Sequence, residues 1–523
     1  MLVAEASEPK RNEGGKTLST SDQFRIERDS IGEIKIPAVA YWGVNTARAV
    51  ENFDIARRTI SVYPDFLVAF AQVKQAAARA NREIGVLDAE KAEYIDRACQ
   101  DIIDGRLHEQ FVVGVIQGGA GTSSNMNVNE VIANRALELA GREFGDYEFI
   151  SPNDHVNASQ STNDTYPSAV KLGLVHSTQN LIAEYELLQD AIMKKAFEFK
   201  GILKVGRTQL QDAVPMTLGQ EFHGFATTVG EDIQRLKDVE PLLLELNLGA
   251  TAIGTRINAP AEYPAAIMRH LREITGYDEL VTATDLIEAT SDTGVFMSLS
   301  SVMKRCAMKL SKICNDLRLL SSGPQAGLGE INLPARQAGS SIMPGKVNPV
   351  IPEAVSQVAF VIAGSDVTVA FASEAGQLQL NAFEPVMMHT LMQNSTWLRR
   401  AMRTLRVNCI TGITANEAKT TAQVAASVGL ITALNPVIGY AEASKIAKKA
   451  LATDAKVVDL VVEAGLLDRE RVTELLHPEA LAGRFPEPTK VGSLSADQIR
   501  EQERRIDSLD PKELAGPMHE IVL

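Results

Sequence analysis

The segment of this sequence best suited to chemistry is Gly339–Pro349, which reads GSSIMPGKVNP. It offers two adjacent hydroxyls, Ser340 and Ser341, and one cation, Lys346, in a backbone that its glycines keep flexible. Asn348 and the proline after it favour the start of a helix directly behind the loop. Because a helix N-terminus and a lysine both attract negative charge, the segment predicts a site for an anionic group.

Two other interpretations of this loop must be weighed. A nucleotide-binding P-loop has four residues between its first glycine and its Gly-Lys pair, whereas five residues separate Gly339 from Gly345. Val347 also stands where the P-loop needs a Ser or Thr for magnesium, so the P-loop interpretation is disfavoured. An ordinary surface loop with a solvated lysine is the other alternative, and this segment alone leaves it open.

Three further polar segments place small hydroxyls and amides where we expect helices to begin: Gly121–Asn125, Ser161–Asp164 and Gly206–Gln209. The side chains that they offer to a ligand are Thr122, Ser161, Thr162, Asn163, Thr208 and Gln209. Each segment alone is explained by helix capping, which uses the same residue types. Four such helix entrances together predict a pocket of neutral donors plus one lysine, which suits a small carboxylate better than a phosphate.

Long helices are the elements that would position these segments. Apolar side chains recur every three or four residues at Val295, Leu299, Val302, Cys306, Leu310, Ile313, Leu317 and Leu320. This stripe predicts one helix of about 26 residues, and Cys306 and Cys314 within it are predicted core residues. Similar stripes run over 181–192 and 222–236, and 353–405 predicts two more helices, divided near Gly376 and Pro385. Long helices with narrow stripes pack against each other, so we expect a mainly α fold with a long central helical bundle.

Composition along the chain predicts five segments. They are a disordered N-terminal extension (1–22), an N-terminal domain (23–162), a central helical bundle (163–415), a small C-terminal helical domain (416–483) and a C-terminal extension (484–523). The N-terminal domain begins with a predicted β-hairpin over Phe24–Ile36. The charged, Pro-interrupted C-terminal extension contains one predicted helix at Ser495–Leu509.

Charge and composition exclude several classes of partner. Lys and Arg total 52 against 66 Asp and Glu, and the formal net charge of −14 argues against nucleic-acid binding.

The four cysteines form no CxxC pair and no cluster with histidines, which predicts neither a disulfide framework nor a zinc site and favours the reducing cytoplasm. No signal peptide is predicted. The longest uncharged run, Thr420–Ala441, contains polar residues, Pro and Gly, so we expect no membrane span and no membrane partner.

Several stretches of the chain match a known family. They include GGAGTSSNMNVNEVIANRALEL, SPNDHVNASQSTNDTYPSA, GRTQLQDAVPMTLGQEF and AGLGEINLPARQAGSSIMPGKVNP. Over roughly Phe24 to Gly483 the chain resembles the aspartase/fumarase superfamily, and most closely its aspartase branch. The resemblance implies a three-domain, mainly α fold and a homotetramer with active sites shared between subunits. It also implies no organic cofactor; divalent cations activate some aspartases, but no ligand cluster in this sequence assigns a metal site.

The resemblance implies a reversible elimination of ammonia from L-aspartate to give fumarate, a carbon–nitrogen lyase reaction. Ser340 would be the base that removes a proton from the β-carbon, through a dianionic aci-carboxylate intermediate. The substrate-binding residues carried over by the match are Thr122, Ser161, Thr162 and Ser341 for the β-carboxylate, Lys346 and Asn348 for the α-carboxylate, and Asn163 and Thr208 near the amino group.

Gln209 separates the branches of the superfamily. Class II fumarases carry histidine at the matching position, where it handles water together with a glutamate whose counterpart here is Glu353. Glutamine does not change protonation near pH 7, so a His–Glu pair for water is unavailable in this chain. Some aspartases also carry histidine there, so the class II fumarate hydratase reaction stays the alternative. A structural protein without activity is a third hypothesis, against which the intact loop argues.

Two further residues receive a structural interpretation. His155 matches a second anion-binding position of fumarases, but a hydrogen-bonding structural role is favoured. Arg207 is expected to brace its loop through a salt bridge rather than to touch substrate.

Overall fold

The computed structural model describes residues 24–453, 455–483, 485 and 494–509. The predicted disordered extension over 1–22 therefore lies outside the described residues, as does much of the C-terminal extension. The fold is mainly α, as predicted. Its α-helices are α1 (Val44–Asn52), α2 (Pro64–Glu83), α3 (Ala89–Ile103), α4 (Thr122–Leu139), α5 (Thr162–Glu198), α6 (Leu218–Val239), α7 (Tyr263–Thr275), α8 (Glu288–Ser291), α9 (Gly294–Leu320), α10 (Val350–Glu374), α11 (Glu384–Asn408), α12 (Glu417–Ala426), α13 (Asn435–Ile438), α14 (Tyr440–Thr453), α15 (Val457–Glu463), α16 (Arg469–Leu475), α17 (Pro478–Ala482) and α18 (Ala496–Leu509).

The strands are short and pair two by two. They are β1 (Phe24–Arg28) with β2 (Glu33–Pro37), β3 (Leu203–Thr208) with β4 (Gln211–Thr217), β5 (Glu245–Leu246) with β6 (Val281–Thr282), and β7 (Ile331–Asn332) with β8 (Thr414–Ala415). The β5–β6 pair is parallel and the other three pairs are antiparallel. The β1–β2 pair confirms the predicted hairpin over Phe24–Ile36.

Residue contacts divide the chain into two units, each built from three stretches of sequence. Unit 1 comprises the residues up to Ser177, Glu240–Leu299 and Val367–Gln393, and unit 2 comprises Thr178–Val239, Ser300–Asp366 and the chain from Asn394 onward. The helices α5, α9, α10 and α11 supply residues to both units. Because such a division is not continuous along the chain, it does not test the predicted domain boundaries at 162, 415 and 483, which stay predictions.

The predicted long helices are present. Helix α9 covers the stripe predicted from Val295 to Leu320, and Cys306 and Cys314 are fully buried in it. Its buried face is displaced at the N-terminal end, where Phe296 and Met303 are buried while Val295 is only partly so. The two helices predicted over 353–405 are α10 and α11. Between them Asn381 Nδ2 donates to the carbonyls of Ala372 (3.0 Å) and Ser373 (3.2 Å), which satisfies acceptors that the end of α10 leaves open.

In unit 2 the segments of four long helices are joined by polar contacts as well as by apolar packing. Arg305 of α9 pairs with Asp232 of α6 at 2.8 Å, and Ser300 of α9 donates to Asp366 of α10 at 2.8 Å. Gln189 of α5 donates to a carbonyl of α6. These contacts fix the neighbours of each helix and confirm the bundle-forming prediction.

The segment Gly206–Gln209 does not precede a helix, so that prediction is wrong. It forms the end of β3 and the tip of the β3–β4 hairpin, and the next helix begins only at Leu218. The tip residues Gln209 and Leu210 have φ of 53° and 62°, the backbone of a mirror-image two-residue turn. Such turns normally contain Asn-Gly or Asp-Gly, which this hairpin lacks. In addition, Pro215 lies within β4, and a proline in a run of residues argues against predicting a strand there.

Helix α10 is apolar and largely exposed on this chain. Among the described residues it alone is long and apolar enough to cross a membrane by itself. Helix α12 and the segment Val428–Ile438, which includes α13, reach that length and hydropathy only as a pair bent by 72°. Its exposed side chains include Phe360, Val367 and Phe371, which are 58%, 53% and 71% exposed. Their spacing of seven and four residues puts them on one face.

The C-terminal extension returns to unit 2 through α18, which confirms the helix predicted at 495–509. Leu494 and Ile499 pack against Ala183 and Leu187 of α5. On α11 the buried Arg406 donates from Nε to Glu184 Oε1 at 2.8 Å and from Nη1 to Glu503 Oε1 of α18 at 3.1 Å. The extension is therefore held by both apolar contact and a shared guanidinium.

Gly121 gives a direct test of how unit 1 is packed. Its φ is +89°, and a Cβ there would lie 2.4 Å from the ring of the buried Tyr166. We expect Gly121→Ala to lower the free energy of unfolding by about 3 kcal/mol or more, through strain and overpacking together. Gly141→Ala is the matched control, because Gly141 has φ of +71° with no atom within 4 Å, and it should cost only about 1 kcal/mol. Denaturant unfolding measures both; equal losses would contradict the Tyr166 contact.

Candidate active site

The candidate residues of unit 1 lie at the starts of two helices. Helix α4 begins at Thr122, whose hydroxyl donates to the Gly119 carbonyl at 2.7 Å. Helix α5 begins at Thr162, and Asn125 of α4 donates from Nδ2 to Thr162 Oγ1 at 3.0 Å. The structure therefore brings the Thr122 helix and the segment 161–163 together, as the sequence predicts for helix entrances that share a pocket.

Ser161 and Asp164 cap α5 reciprocally. Ser161 Oγ accepts the N–H of Asn163 at 3.2 Å, and Asp164 Oδ1 accepts the N–H of Ser161 at 2.9 Å. This is a capping box, with aspartate in the place that glutamate or glutamine usually takes. It fixes the backbone of the three candidate residues Ser161, Thr162 and Asn163.

The second oxygen of Asp164 holds a loop to which the sequence analysis assigned no role in the site. Oδ2 accepts the N–H groups of Gly249 (3.0 Å) and Thr251 (3.1 Å), and Asn163 Nδ2 donates to the carbonyl of Ala252 at 2.7 Å. Thr251 has φ of 59°, a left-handed conformation that is rare for a β-branched residue. Local spacing does not predict the position of this loop, because Asp164, which holds it, lies more than 80 residues earlier in the chain.

A buried lysine lies beneath the same segments. Lys74 of α2 is fully buried, and its Nζ donates to Asn157 Oδ1 (3.0 Å) and Gln160 Oε1 (2.9 Å). Burial lowers the pKa of Lys74 to about 7, with Asp164 acting against that shift. Burial likewise raises the pKa of Asp164 to about 6, and its three backbone hydrogen bonds oppose the rise. The lone lysine in the Ala-rich run AQVKQAAARAN was the signal that could have identified Lys74.

In unit 2 the loop Gly339–Asn348 is closed at its base by two hydrogen bonds. Gly339 N donates to the Lys346 carbonyl at 2.9 Å, and Asn348 Nδ2 donates to the Gly339 carbonyl at 2.6 Å. The expectation that Asn348 caps the following helix is wrong, because its amide ties the loop instead and α10 begins at Val350. Ser341 and Lys346 are exposed on this loop.

Ser340 has the environment of a hydroxyl prepared for negative charge. Its Oγ accepts the N–H groups of Ile342 (3.2 Å) and Met343 (3.0 Å). Hydrogen bonds donated to an oxygen favour its ionised form. Because these two N–H groups already point at Ser340 Oγ, they need no reorganisation when the oxygen becomes negatively charged.

Thr208 and Gln209 are exposed at the tip of the β3–β4 hairpin. Behind them Arg207 Nη1 lies 2.5 Å from Glu330 Oε1, which confirms the predicted bracing salt bridge. Thus the candidate residues form one group in unit 1, and a hairpin group and a loop group in unit 2.

His155 and Glu353 make structural contacts. His155 Nδ1 accepts the N–H of Ser151 at 2.8 Å, and its Nε2 lies 3.2 Å from Lys91 Nζ. These contacts agree with the favoured structural role. Glu353 lies 4.0 Å from Arg318 Nε. Within the described ranges, no group of three or more His, Cys, Asp or Glu side chains is arranged to hold a metal ion.

Two family models match the chain: one described as lyase over residues 32–364, and one described as the C-terminus of fumarase C over residues 430–483. The chain is 56% identical to the aspartate ammonia-lyase of Pseudomonas fluorescens, over 88% of this chain and 97% of that protein.

Solved structures agree with this match. A structure titled fumarate lyase:delta crystallin from Brucella melitensis, bound to cobalt, superposes with a TM-score of 0.85 and 53% identity, covering 88% of this chain and 100% of that one. Class II fumarase from Schistosoma mansoni superposes with a TM-score of 0.81 but only 32% identity, covering 88% of this chain and 99% of that one.

Gly339 tests whether the closed base of the loop matters. A Cβ at this position would lie 2.5 Å from the Lys346 carbonyl oxygen and 2.8 Å from Asn348 N. We expect Gly339→Ala to break the closing bond and reduce turnover about 100-fold, since misplaced catalytic groups cost rates of that order. Gly201→Ala, with no atom within 4 Å, is the control and should keep wild-type turnover. Steady-state kinetics with thermal unfolding measures both; full activity in Gly339→Ala would contradict the need for this closure.

Proposed function

Because the chain belongs to the aspartase/fumarase superfamily of lyases, we propose that it is an aspartate ammonia-lyase, which reversibly eliminates ammonia from L-aspartate to give fumarate. The observation that carries the choice of reaction is the 56% identity to an aspartate ammonia-lyase, against 32% to a class II fumarase. Gln209 at the hairpin tip agrees with it, since glutamine cannot act as an acid or a base toward water near neutral pH.

Ser340 is the proposed base. As an alkoxide it takes a proton from the β-carbon of aspartate, and the electron pair of that C–H bond moves into the β-carboxylate to form the aci-carboxylate dianion. The pair then returns to form the C=C bond as the bond from the α-carbon to nitrogen breaks. The N–H groups of Ile342 and Met343 support the alkoxide, most strongly once the loop is shielded from water.

The substrate's charges match the remaining candidates. The hydroxyls of Ser161, Thr162 and Ser341 hold the β-carboxylate, where the extra charge of the intermediate develops. Thr122 joins them when its hydroxyl turns from the Gly119 carbonyl to the substrate. Lys346 and the second N–H of the Asn348 amide hold the α-carboxylate.

The amino group of the substrate lies near Asn163, Thr208 and Gln209 in this proposal. The amide nitrogen of Asn163 is committed to the Ala252 carbonyl, so its Oδ1 is the atom that is oriented to accept from an ammonium group. The hydroxyl of Thr208 offers a second acceptor.

We also propose a homotetramer with active sites shared between subunits. The exposed apolar face of α10, with Phe360, Val367 and Phe371, supports burial against another copy, because contiguous apolar surface of this kind marks interaction sites. The enzyme is proposed to act in the cytoplasm without an organic cofactor, since the elimination needs only a base and fixed electrostatics. Activation by a divalent cation is left without an assigned site.

The substrate assay decides between the hypotheses. We expect fumarate, followed by its ultraviolet absorbance, to appear from L-aspartate together with an equal amount of ammonia. L-malate should give little or none. Fumarate formed from L-malate but not from L-aspartate would establish the fumarate hydratase alternative, which the presence of Glu353 favours. No product from either substrate would establish that the chain is a structural protein without activity.

Ser340→Ala tests the base. Turnover of L-aspartate should fall by 1,000-fold or more, on the order of the loss expected when an essential catalytic group is removed. Its circular dichroism spectrum and melting temperature should stay unchanged, because the loop is partly exposed and its hydroxyl fills no core position. Ser321→Ala, at a partly exposed serine after α9, is the matched control. Near-normal turnover in Ser340→Ala would remove the proposed base.

A further inference from the structure

We propose that Glu330 is a positioning residue for the ammonia-lyase reaction, which fixes the hairpin that presents Thr208 and Gln209 to the amino group of the substrate. The inference rests on the proposed function and assigns a role to a residue that would not itself touch substrate. It follows from a charged cluster buried at the base of the β3–β4 hairpin in unit 2.

Glu330 is fully buried and bridges two cations of one strand. Its Oε2 lies 2.8 Å from Lys204 Nζ and its Oε1 lies 2.5 Å from Arg207 Nη1. Lys204 is itself 2% exposed and also pairs with Glu221 of α6 at 2.5 Å. Two carboxylates therefore balance two cations, which is the condition under which charges are tolerated in a protein interior.

The two cations are anchored in the strand that ends at the candidate residues. Lys204 and Arg207 lie on β3, on either side of a register irregularity between Val205 and Arg207, and Arg207 directly precedes Thr208. A Cβ at Gly206 would lie 2.9 Å from the Val214 carbonyl, so the irregularity requires glycine. The ion pair of the Arg207 guanidinium therefore fixes where Thr208, the next residue, lies along the hairpin.

Beyond the pairing of Thr208 with Gln211, the side chains of the hairpin tip make no hydrogen bond or ion pair with the described residues. Thr208, Gln209 and Leu210 are all exposed, and both turn residues occupy the left-handed region that non-glycine residues avoid. A strained conformation persists only where the surrounding structure imposes it. Here the imposed contacts lie below the tip, at Arg207 and Lys204.

Glu330 can impose them because its own backbone is fixed on both sides. Its N–H donates to the Leu320 carbonyl at 2.8 Å, and its carbonyl accepts the N–H of Asn416 at 2.8 Å. It directly precedes β7, whose chain continues into the Ser340 loop. One carboxylate thus ties the hairpin that carries Thr208 to the segment that carries the base.

Glu330→Gln is the test, since it keeps size and shape but removes the charge that pairs with Arg207. In the forward reaction we expect kcat/KM for L-aspartate to fall 10- to 100-fold. In the reverse reaction the KM for ammonia should rise at least fivefold while the KM for fumarate changes less than twofold, because Thr208 and Gln209 lie near the amino group. A purely structural role would lower the fraction of active enzyme, and so kcat, with both KM values unchanged.

Glu221→Gln is the matched control, because Glu221 pairs with Lys204 but makes no contact with Arg207 among the described ion pairs. It should change the KM for ammonia less than twofold. If Glu330→Gln fails to fold, Arg207→Gln removes the same bridge from its partly exposed end and should raise the KM for ammonia equally. Unchanged KM for ammonia in these bridge variants, or an equal rise in Glu221→Gln, would overturn the proposal. Failure of the proposed function would differ, since wild type would then form no fumarate from aspartate.

Discussion

A carboxylate that is buried away from water needs hydrogen-bond donors or cations beside its oxygens, and in each unit such a carboxylate fixes the backbone of a candidate segment. In unit 1, Asp164 accepts three backbone N–H groups, from the start of α5 and from the loop at Gly249 and Thr251. In unit 2, Glu330 accepts from Arg207 through Oε1, and its Oε2 forms an ion pair with Lys204. Asp164 thereby holds the backbone of residues 161–163, and Glu330 holds the strand that ends at Thr208.

The charge of the whole chain and the charge of the site are separate matters. A net charge of −14 argues against a polyanionic partner, yet the substrate is itself a small anion. In the proposed function, this anion is bound by neutral donors at helix starts and one exposed lysine, and the two N–H groups that donate to Ser340 Oγ support the base. Local dipoles act over a few ångströms, where they outweigh surface charges that salt screens.

The sequence was most informative where structure depends on neighbours along the chain. The stripe of α9, the helix after Leu494 and the Gly-rich loop at Ser340 follow local periodicity or composition, and all three are present. The hairpin at Gln209 escaped prediction because its turn lacks the usual Asn-Gly pair. Asp164 and Glu330 escaped for a different reason: their partners lie far away in sequence, and only folding brings an acidic side chain to those N–H groups and cations. The roles of the site residues stay predictions.

The docking of α18 changes which residues of α5 belong to the core. Ala183 and Leu187 are covered by Leu494 and Ile499, and Glu186 accepts from Gln502, 316 positions further along the chain. Tolerance to substitution on this face of α5 is therefore set by a segment beyond residue 483, where the matched C-terminal family model ends. A larger side chain at Ala183 would displace the extension.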